Sequence, residues 1–380
     1  MARSRVQLKE KLKNALSRAE ELFTEKRISF KKRFDLLEPL KIMPFRGFGN
    51  ENYVFIKGRV MEEQKISDQP KDQSVAGHLK DTFRRYETDE IPHIKIKASF
   101  NGKNIKTKTD SEGYFEVEFR FDEPIDYRKA GKKVQLELLE TKSEDDYKTA
   151  EGQIFVPGEN PEFGVISDID DTIMISRINH FFEKLKLMLL QDASDRTPFP
   201  GIGAFLHALK LGRDGKGNNP VFYVSGSEWN LYDLLVNFME YHDIPAGPLL
   251  LKDKGSGLDK GKLETGDEQY KQQKIKHILD TYPEQKFICI GDSGQEDAEI
   301  YQRIEQQYPN RLLAIYIRDV TKDKRDREIK QIKGKVEEGD TEMKLLEETF
   351  SAARHALGMG WINKDQLDSI RKSCEEDAKD

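Results

Sequence analysis

Two cysteines in 380 residues, Cys289 and Cys374, provide no disulfide framework. One sits in a strand-like run and the other in a polar tail. Long hydrophobic runs are missing too: no apolar stretch approaches the roughly 20 residues that span a bilayer. The N-terminus is basic but has no apolar h-region, so it does not read as a signal peptide. The expectation is a cytoplasmic protein, or at least one not exported by such a signal. The seven histidines show no metal-ligand spacing, and the chain shows no internal repeat.

What is present is a chain 36% hydrophobic and 35% charged. That supports real cores beneath a very polar surface, and the length fits two or three domains. The formal net charge of -6 conceals an asymmetry. Residues 1–50 hold 13 Lys/Arg against 6 Asp/Glu, a local +7, so the remainder carries -13. A basic arm on an acidic body suits attraction to an anionic surface such as a membrane. No nucleic-acid partner is expected.

Hydrophobic periodicity divides the chain into three regions. Leu8, Leu12, Leu16, Ala19 and Phe23 recur at helical steps, among Arg3, Arg5, Lys9, Lys11, Lys13 and Arg18. This predicts a basic amphipathic helical segment over residues 1–45, ended by Pro39 and Pro44. It either packs on the rest of the chain or lies shallowly in a membrane interface. Over 46–158 the period becomes two. "HIKIKASF" alternates, Asn101-Gly102 turns the chain, "NIKTKT" alternates, and "YFEVEFRF" puts Phe115, Val117, Phe119 and Phe121 on one face. Short alternating strands separated by turns predict an antiparallel β-sandwich. Residues 61–92 interrupt it as a long loop with a helical piece near "LKDTFRRYE". The sandwich loops show no dense acidic set of the kind that binds calcium.

Over 159–370, short apolar runs alternate with helical segments: "FGVIS", "VFYVS", "KFICIGD" and "LLAIYIRD". That pattern predicts a parallel sheet covered by helices. Ligands of such sheets bind beyond the carboxyl ends of the strands. Three of the four runs end there in a polar residue: Asp168, Ser225 and Asp292.

The acids at these ends are crowded. In "SDIDDT", Asp168 and Asp170 can share a small volume, and two carboxylates about 4 Å apart repel by roughly 4 kcal/mol at an effective dielectric of 20. Protonation or a cation must offset that repulsion. Hard oxygen ligands suit Mg²⁺, which takes one or two carboxylates, several waters and a phosphate. A second acidic cluster, "GDSGQED", adds Asp292 and Asp297 after another strand. A lone pair of acids is more often a solvated loop; two acidic strand ends in matching context favour a metal site.

These stretches carry a resemblance. "DIDDT" has the DxDxT form of the haloacid dehalogenase superfamily phosphatases, "VFYVSGS" resembles their second motif, Lys271 in "YKQQKI" the third, and "IGDSGQED" the fourth. More narrowly, the chain resembles the actin-patch-protein phosphatidate phosphatase family through "PFRGFG", "IKGRV", "VISDIDDTI", "TPFPGI", "YVSGSEWNLYDLL", "GPLLLKD" and "ARHALGMGWI". The resemblance implies a Rossmann-like, haloacid dehalogenase-type catalytic domain and Mg²⁺-dependent hydrolysis of a phosphomonoester through an aspartyl phosphate. Asp168 would be the nucleophile and Asp170 the acid and base. Asp168, Asp170, Asp292 and Asp297 would serve the metal, while Ser225, Gly226 and Lys271 would bind phosphate. Gly226 departs from the family, where asparagine is expected. Ser227 competes with Ser225, and Lys274 with Lys271; Ser225 comes first after its apolar run, and Lys271 fits the spacing to Asp292 better. Asp171 reads as a loop or cap residue and Trp229 as packing. The segments between motifs are short, so the site is expected to be open. That suits a large or interfacial substrate such as phosphatidate at a membrane surface; a soluble phosphomonoester or a non-catalytic scaffold are the alternatives.

Overall fold

The computed structural model describes residues 39–62, 91–140, 147–169, 199–252, 267–321 and 325–378. The expected N-terminal helix, the helical piece near 79–87 and Asp170 with Asp171 lie outside the described residues.

Ten-residue β3 (Tyr53–Glu62) is the spine of the first sheet. Along one of its edges run β1 (Leu40–Pro44) and then β2 (Gly47–Gly49); along the other runs β6 (Tyr114–Arg120). All three are antiparallel to it. β2 then pairs in parallel with β8 (Thr149–Phe155), and the ladder continues antiparallel through β7 (Lys133–Leu138), β4 (Lys95–Phe100) and β5 (Lys103–Lys108). The β4–β5 hairpin closes on Asn101-Gly102, with φ of 44° and 78°. Two positive φ angles in a two-residue loop give the primed turn that matches strand twist, which explains the Asn-Gly pair. Inward-facing Ile42, Val54, Ile56, Ile96, Phe115, Phe119 and Leu136 share one buried cluster. A one-turn helix, α1 (Tyr127–Ala130), links β6 to β7.

Residues 40–44, placed at the end of the helical segment by the periodicity, instead form β1. Leu40 and Ile42 are buried in its alternating pattern, and pairing with β3 decides their state.

The second sheet is parallel throughout. It contains β9 (Gly164–Asp168), β10 (Val221–Glu228), β11 (Leu249–Lys252), β12 (Phe287–Asp292), β13 (Leu312–Arg318) and β14 (Glu342–Leu346). Their spatial order is β11-β10-β9-β12-β13-β14. The succession of strands therefore reverses between β9 and β12, running outward to β11 on one side and to β14 on the other, the place where doubly wound sheets open a crevice.

One face is covered by α2 (Ile202–Leu211), α3 (Tyr232–Tyr241), α7 (Thr349–Gly358) and α8 (Lys364–Asp377). The other is covered by α4 (Asp267–Thr281), α5 (Asp297–Gln307) and α6 (Asp326–Val336). Burial on both faces explains why β9 and β12 read as unbroken apolar runs. The first sheet adds Phe45 to one of these cores and Phe48, Tyr53 and Phe55 to the other. Helix α8 extends to Asp377, past the expected limit at 370. Its Asp377 carboxylate accepts from the Gly201 amide at 2.8 Å, and Cys374 is half-buried against the chain at Pro200 rather than in a free tail. Among the described residues, no helix is long and apolar enough to cross a membrane.

Candidate active site

Asp168 closes β9 and Asp292 closes β12, so the strand order sets these two acids on either side of the reversal. Asp297 opens α5, five residues beyond Asp292. Its approach depends on Gly291, because a Cβ there would lie 2.6 Å from both Cβ and Oδ2 of Asp297. The three acids are buried, and a ligand oxygen from each lies within 4.8 Å of the others. At that separation, each pair of charges repels by about 3.5 kcal/mol at an effective dielectric of 20.

Lys271, itself buried, answers part of that charge. From the first turn and a half of α4 its Nζ donates to Asp168 Oδ1 at 2.6 Å, to Asp297 Oδ1 at 2.9 Å and to Gln295 Oε1 at 2.9 Å. An ammonium has three protons to give, enough for one to each of these three acceptors. Three carboxylates and one ammonium still leave two negative charges, which a divalent cation would balance. The donor set is all oxygen, the chemistry that Mg²⁺ and similar hard cations take.

The loop after β12 is tightly held. Asp292 Oδ1 accepts from the amides of Gly294 (2.6 Å) and Gln295 (2.9 Å), and the Asp292 amide donates to Asp297 Oδ2 at 3.1 Å. Ser293 is buried; its Oγ donates to Asp319 Oδ1 and accepts from the Val320 amide. Beneath the loop, Tyr301 donates to the Ile290 carbonyl at 2.9 Å, and burial holds its phenol far above the usual range. Cys289, in β12, is likewise pushed up by burial and is no thiolate nucleophile.

Ser225 stands one residue past the Val224–Asp168 pairing of β10 with β9, which brings it to the same edge. It is fully buried, and its Oγ accepts from the Ser227 amide at 2.9 Å. Gly226 between them is half-buried. The turn continues into a 3₁₀ segment, Trp229–Leu231, whose indole packs under the first sheet.

Of the residues singled out from the sequence, the structure thus brings Asp168, Asp292, Asp297 and Lys271 into contact range and sets Ser225 and Gly226 at the adjoining strand end. Lys274 lies elsewhere, its Nζ 5.0 Å from the Tyr270 ring centre. Asp170 is outside the described residues. Sequence reasoning missed Gln295 as a partner of Lys271, although it lies inside the quoted "GDSGQED". It also missed the brace from the first sheet: Lys57 Nζ stands 4.9 Å from the Trp229 ring centre and pairs with Glu116 at 2.8 Å. Nothing local in "IKGRV" signals that contact.

Residues 163–319 match the family model described as Phosphatidate phosphatase APP1, catalytic domain. Phosphatidate phosphatase APP1 of Saccharomyces cerevisiae is 34% identical over 156 residues, 41% of this chain and 25% of that protein. An uncharacterized protein of Schizosaccharomyces pombe is 28% identical over 252 residues, 64% of this chain and 39% of that protein. The matches thus span well under half of these relatives' lengths. A carbohydrate acetylesterase from Xanthomonas citri aligns over 78% of this chain and 65% of its own at 12% identity. Its TM-score is 0.29, too low to bear on the fold.

Proposed function

Taking residues 163–319 as a member of that catalytic-domain family, we propose that the chain is a Mg²⁺-dependent phosphomonoester phosphatase whose substrate is phosphatidate, released as diacylglycerol and phosphate. The observation that carries this reading is the buried contact of Lys271 with Asp168 and Asp297 beside Asp292, at the reversal of a parallel sheet. In this reading the second sheet is a haloacid dehalogenase-type domain running from about residue 159 into α8. A β-sandwich beginning at β1 precedes it, and a basic segment precedes that.

Asp168 would attack phosphorus through a carboxylate oxygen, forming an aspartyl phosphate as the bond to the leaving oxygen breaks. Asp170 would give that oxygen its proton and then take one from the water that cleaves the acyl phosphate. Lys271 holds Asp168 by Oδ1, fixing the carboxylate's orientation, and its charge would also face the transferred phosphoryl group. Ser225 and the backbone at Gly226 would hold the phosphoryl oxygens from β10. Asp168, Asp292 and Asp297, with the Asp170 main chain, would hold Mg²⁺, which when bound supplies charge neutralisation at the phosphoryl oxygens. The site is then a cytoplasmic one, brought to a membrane surface by peripheral contact of the basic N-terminus.

The test is hydrolysis by the full chain of phosphatidate in mixed vesicles, set against soluble phosphomonoesters, with and without Mg²⁺. Release of phosphate from vesicles, lost in Asp168→Asn, supports the reading. Equal or better turnover of soluble metabolites would replace the lipid with a soluble substrate. No turnover of any phosphomonoester, with the protein folded and Mg²⁺ present, would leave a scaffold.

A further inference from the structure

On the reading above, in which Asp168, Asp292 and Asp297 hold a divalent cation, we propose that Arg325 is a positioning residue that sets the affinity for that cation from behind the turn at 293–295. Arg325 lies six residues beyond the end of the family match, at the N-cap of α6. None of its contacts is an acid of the cluster. Its Nη1 donates to the Ser293 carbonyl at 3.0 Å and to the Gln295 carbonyl; its Nη2 pairs with Glu299 in the first turn of α5; its Nε donates to Glu328 at 3.0 Å.

The two carbonyls separate this residue from an ordinary surface ion pair, which would contribute little. A trans peptide points its C=O and N–H in opposite directions. The peptide joining Ser293 to Gly294 is held at both ends, by Arg325 on its oxygen at 3.0 Å and by Asp292 Oδ1 on its N–H at 2.6 Å. Positive charge at the oxygen polarises the amide and strengthens what its N–H gives to the carboxylate. The second carbonyl belongs to Gln295. That residue's amide also donates to Asp292 Oδ1, and its side chain receives Lys271. Arg325 therefore fixes the backbone of the two links that orient Asp292 and Lys271, and through Glu299 it ties this turn to the helix that starts with Asp297. The other end of the turn is already anchored by Ser293 to Asp319 and Val320.

A lysine cannot replace this fork. The guanidinium spreads its donors over three nitrogens and reaches four acceptors on three segments, whereas an ammonium offers three protons from one point.

The test is calorimetric titration of Mg²⁺ into the full-length protein without substrate, with aryl phosphate hydrolysis measured alongside. Arg325→Ala is expected to bind Mg²⁺ about tenfold more weakly, in the range seen when groups behind metal ligands are removed. Its far-ultraviolet circular dichroism should be unchanged, and its rate should recover to within about threefold at saturating Mg²⁺. Arg325→Lys should remain weakened, and it carries the test if Arg325→Ala does not fold. Glu328→Ala, which removes only the exposed partner, should bind Mg²⁺ as the parent does. Mg²⁺ affinity within about twofold of the parent in both Arg325 variants overturns the proposal and leaves the metal reading intact. A parent protein that binds no Mg²⁺ overturns the metal reading and the proposal together.

Discussion

The rings of Phe45 and Trp229 lie stacked, 4.9 Å between centroids with planes 7° apart. Phe45 follows β1, and Trp229 follows the strand that carries Ser225. Tyr232 packs on Phe45 as well (4.2 Å), and its hydroxyl accepts from the Arg46 amide at 2.7 Å. Lys57 covers the indole, so the turn leaving β10 is clamped by residues of the first sheet. Across this seam Phe45 and Tyr114 join the hydrophobic cluster on one face of the second sheet.

Removing either ring should therefore weaken both stability and substrate binding. Trp229→Ala or Phe45→Ala is expected to cost about 3–5 kcal/mol in urea unfolding. The double variant should lose less than the sum by about 0.5–1.5 kcal/mol, the coupling of an aromatic pair. Strict additivity would mean that the stack contributes nothing of its own. In Trp229→Phe, which keeps a ring, KM for an aryl phosphate should rise more than kcat falls.

Lys271→Met tests the charge arrangement. It keeps most of the side-chain volume and removes the ammonium, leaving Asp168 and Asp297 facing each other without it. Breaking a buried ion pair from one side costs about 3–5 kcal/mol. The variant should melt lower in chelator and hydrolyse aryl phosphate at least 100-fold more slowly. Activity within threefold of the parent would remove Lys271 from the proposed chemistry.

Chelation should abolish hydrolysis and lower the melting temperature, and Mg²⁺ should reverse both. At a concentration about 100-fold above its dissociation constant, a ligand of the folded state adds about 2.7 kcal/mol. Asp292→Asn should lose most of that increment. An equal Mg²⁺-dependent rise in melting temperature in Asp292→Asn would place the cation elsewhere.

His277 makes stability depend on pH. Its Nε2 lies 2.9 Å from the Tyr53 hydroxyl, and Phe48 and Phe55 meet its ring edge-on. Burial, and then the Lys274 ammonium, hold its pKa below the ordinary range. In the unfolded chain it titrates near 6.5. Below about pH 6.5 the unfolded chain thus takes up a proton that the folded chain refuses, and stability falls as pH drops. Above that pH this contribution is flat. Between pH 7.5 and 5.5, His277→Gln should lose less unfolding free energy than the parent. Some slope should remain from His242, which burial also lowers. An unchanged slope would assign the pH dependence to other groups.

What the sequence determined by itself is whatever local pattern enforces. Alternation of buried and exposed residues forces β4 and β6, and Asn101-Gly102 forces the turn after β4, because side chains repeat every two residues and few residues accept positive φ. The apolar runs ending at Asp168, Ser225 and Asp292 were legible for a different reason: strands covered by helices on both faces are apolar at successive positions. Weakly patterned pieces were not. β14, "EMKLL", is half-buried along most of its length, and its pairing with β13 makes it a strand. β1 is a strand through its ladder with β3. Spacing to Asp292 already favoured Lys271 over Lys274, but only the tertiary structure set Lys271 against Asp168, 103 positions away, and turned Lys274 toward Tyr270. Helical periodicity gives the angle between two side chains on a helix but not what stands opposite either one. Strand order likewise decided which acids meet. Placing β12 beside β9 brings Asp292 to Asp168, and that adjacency is fixed by how crossovers bury both faces of the sheet, a property of the folded whole.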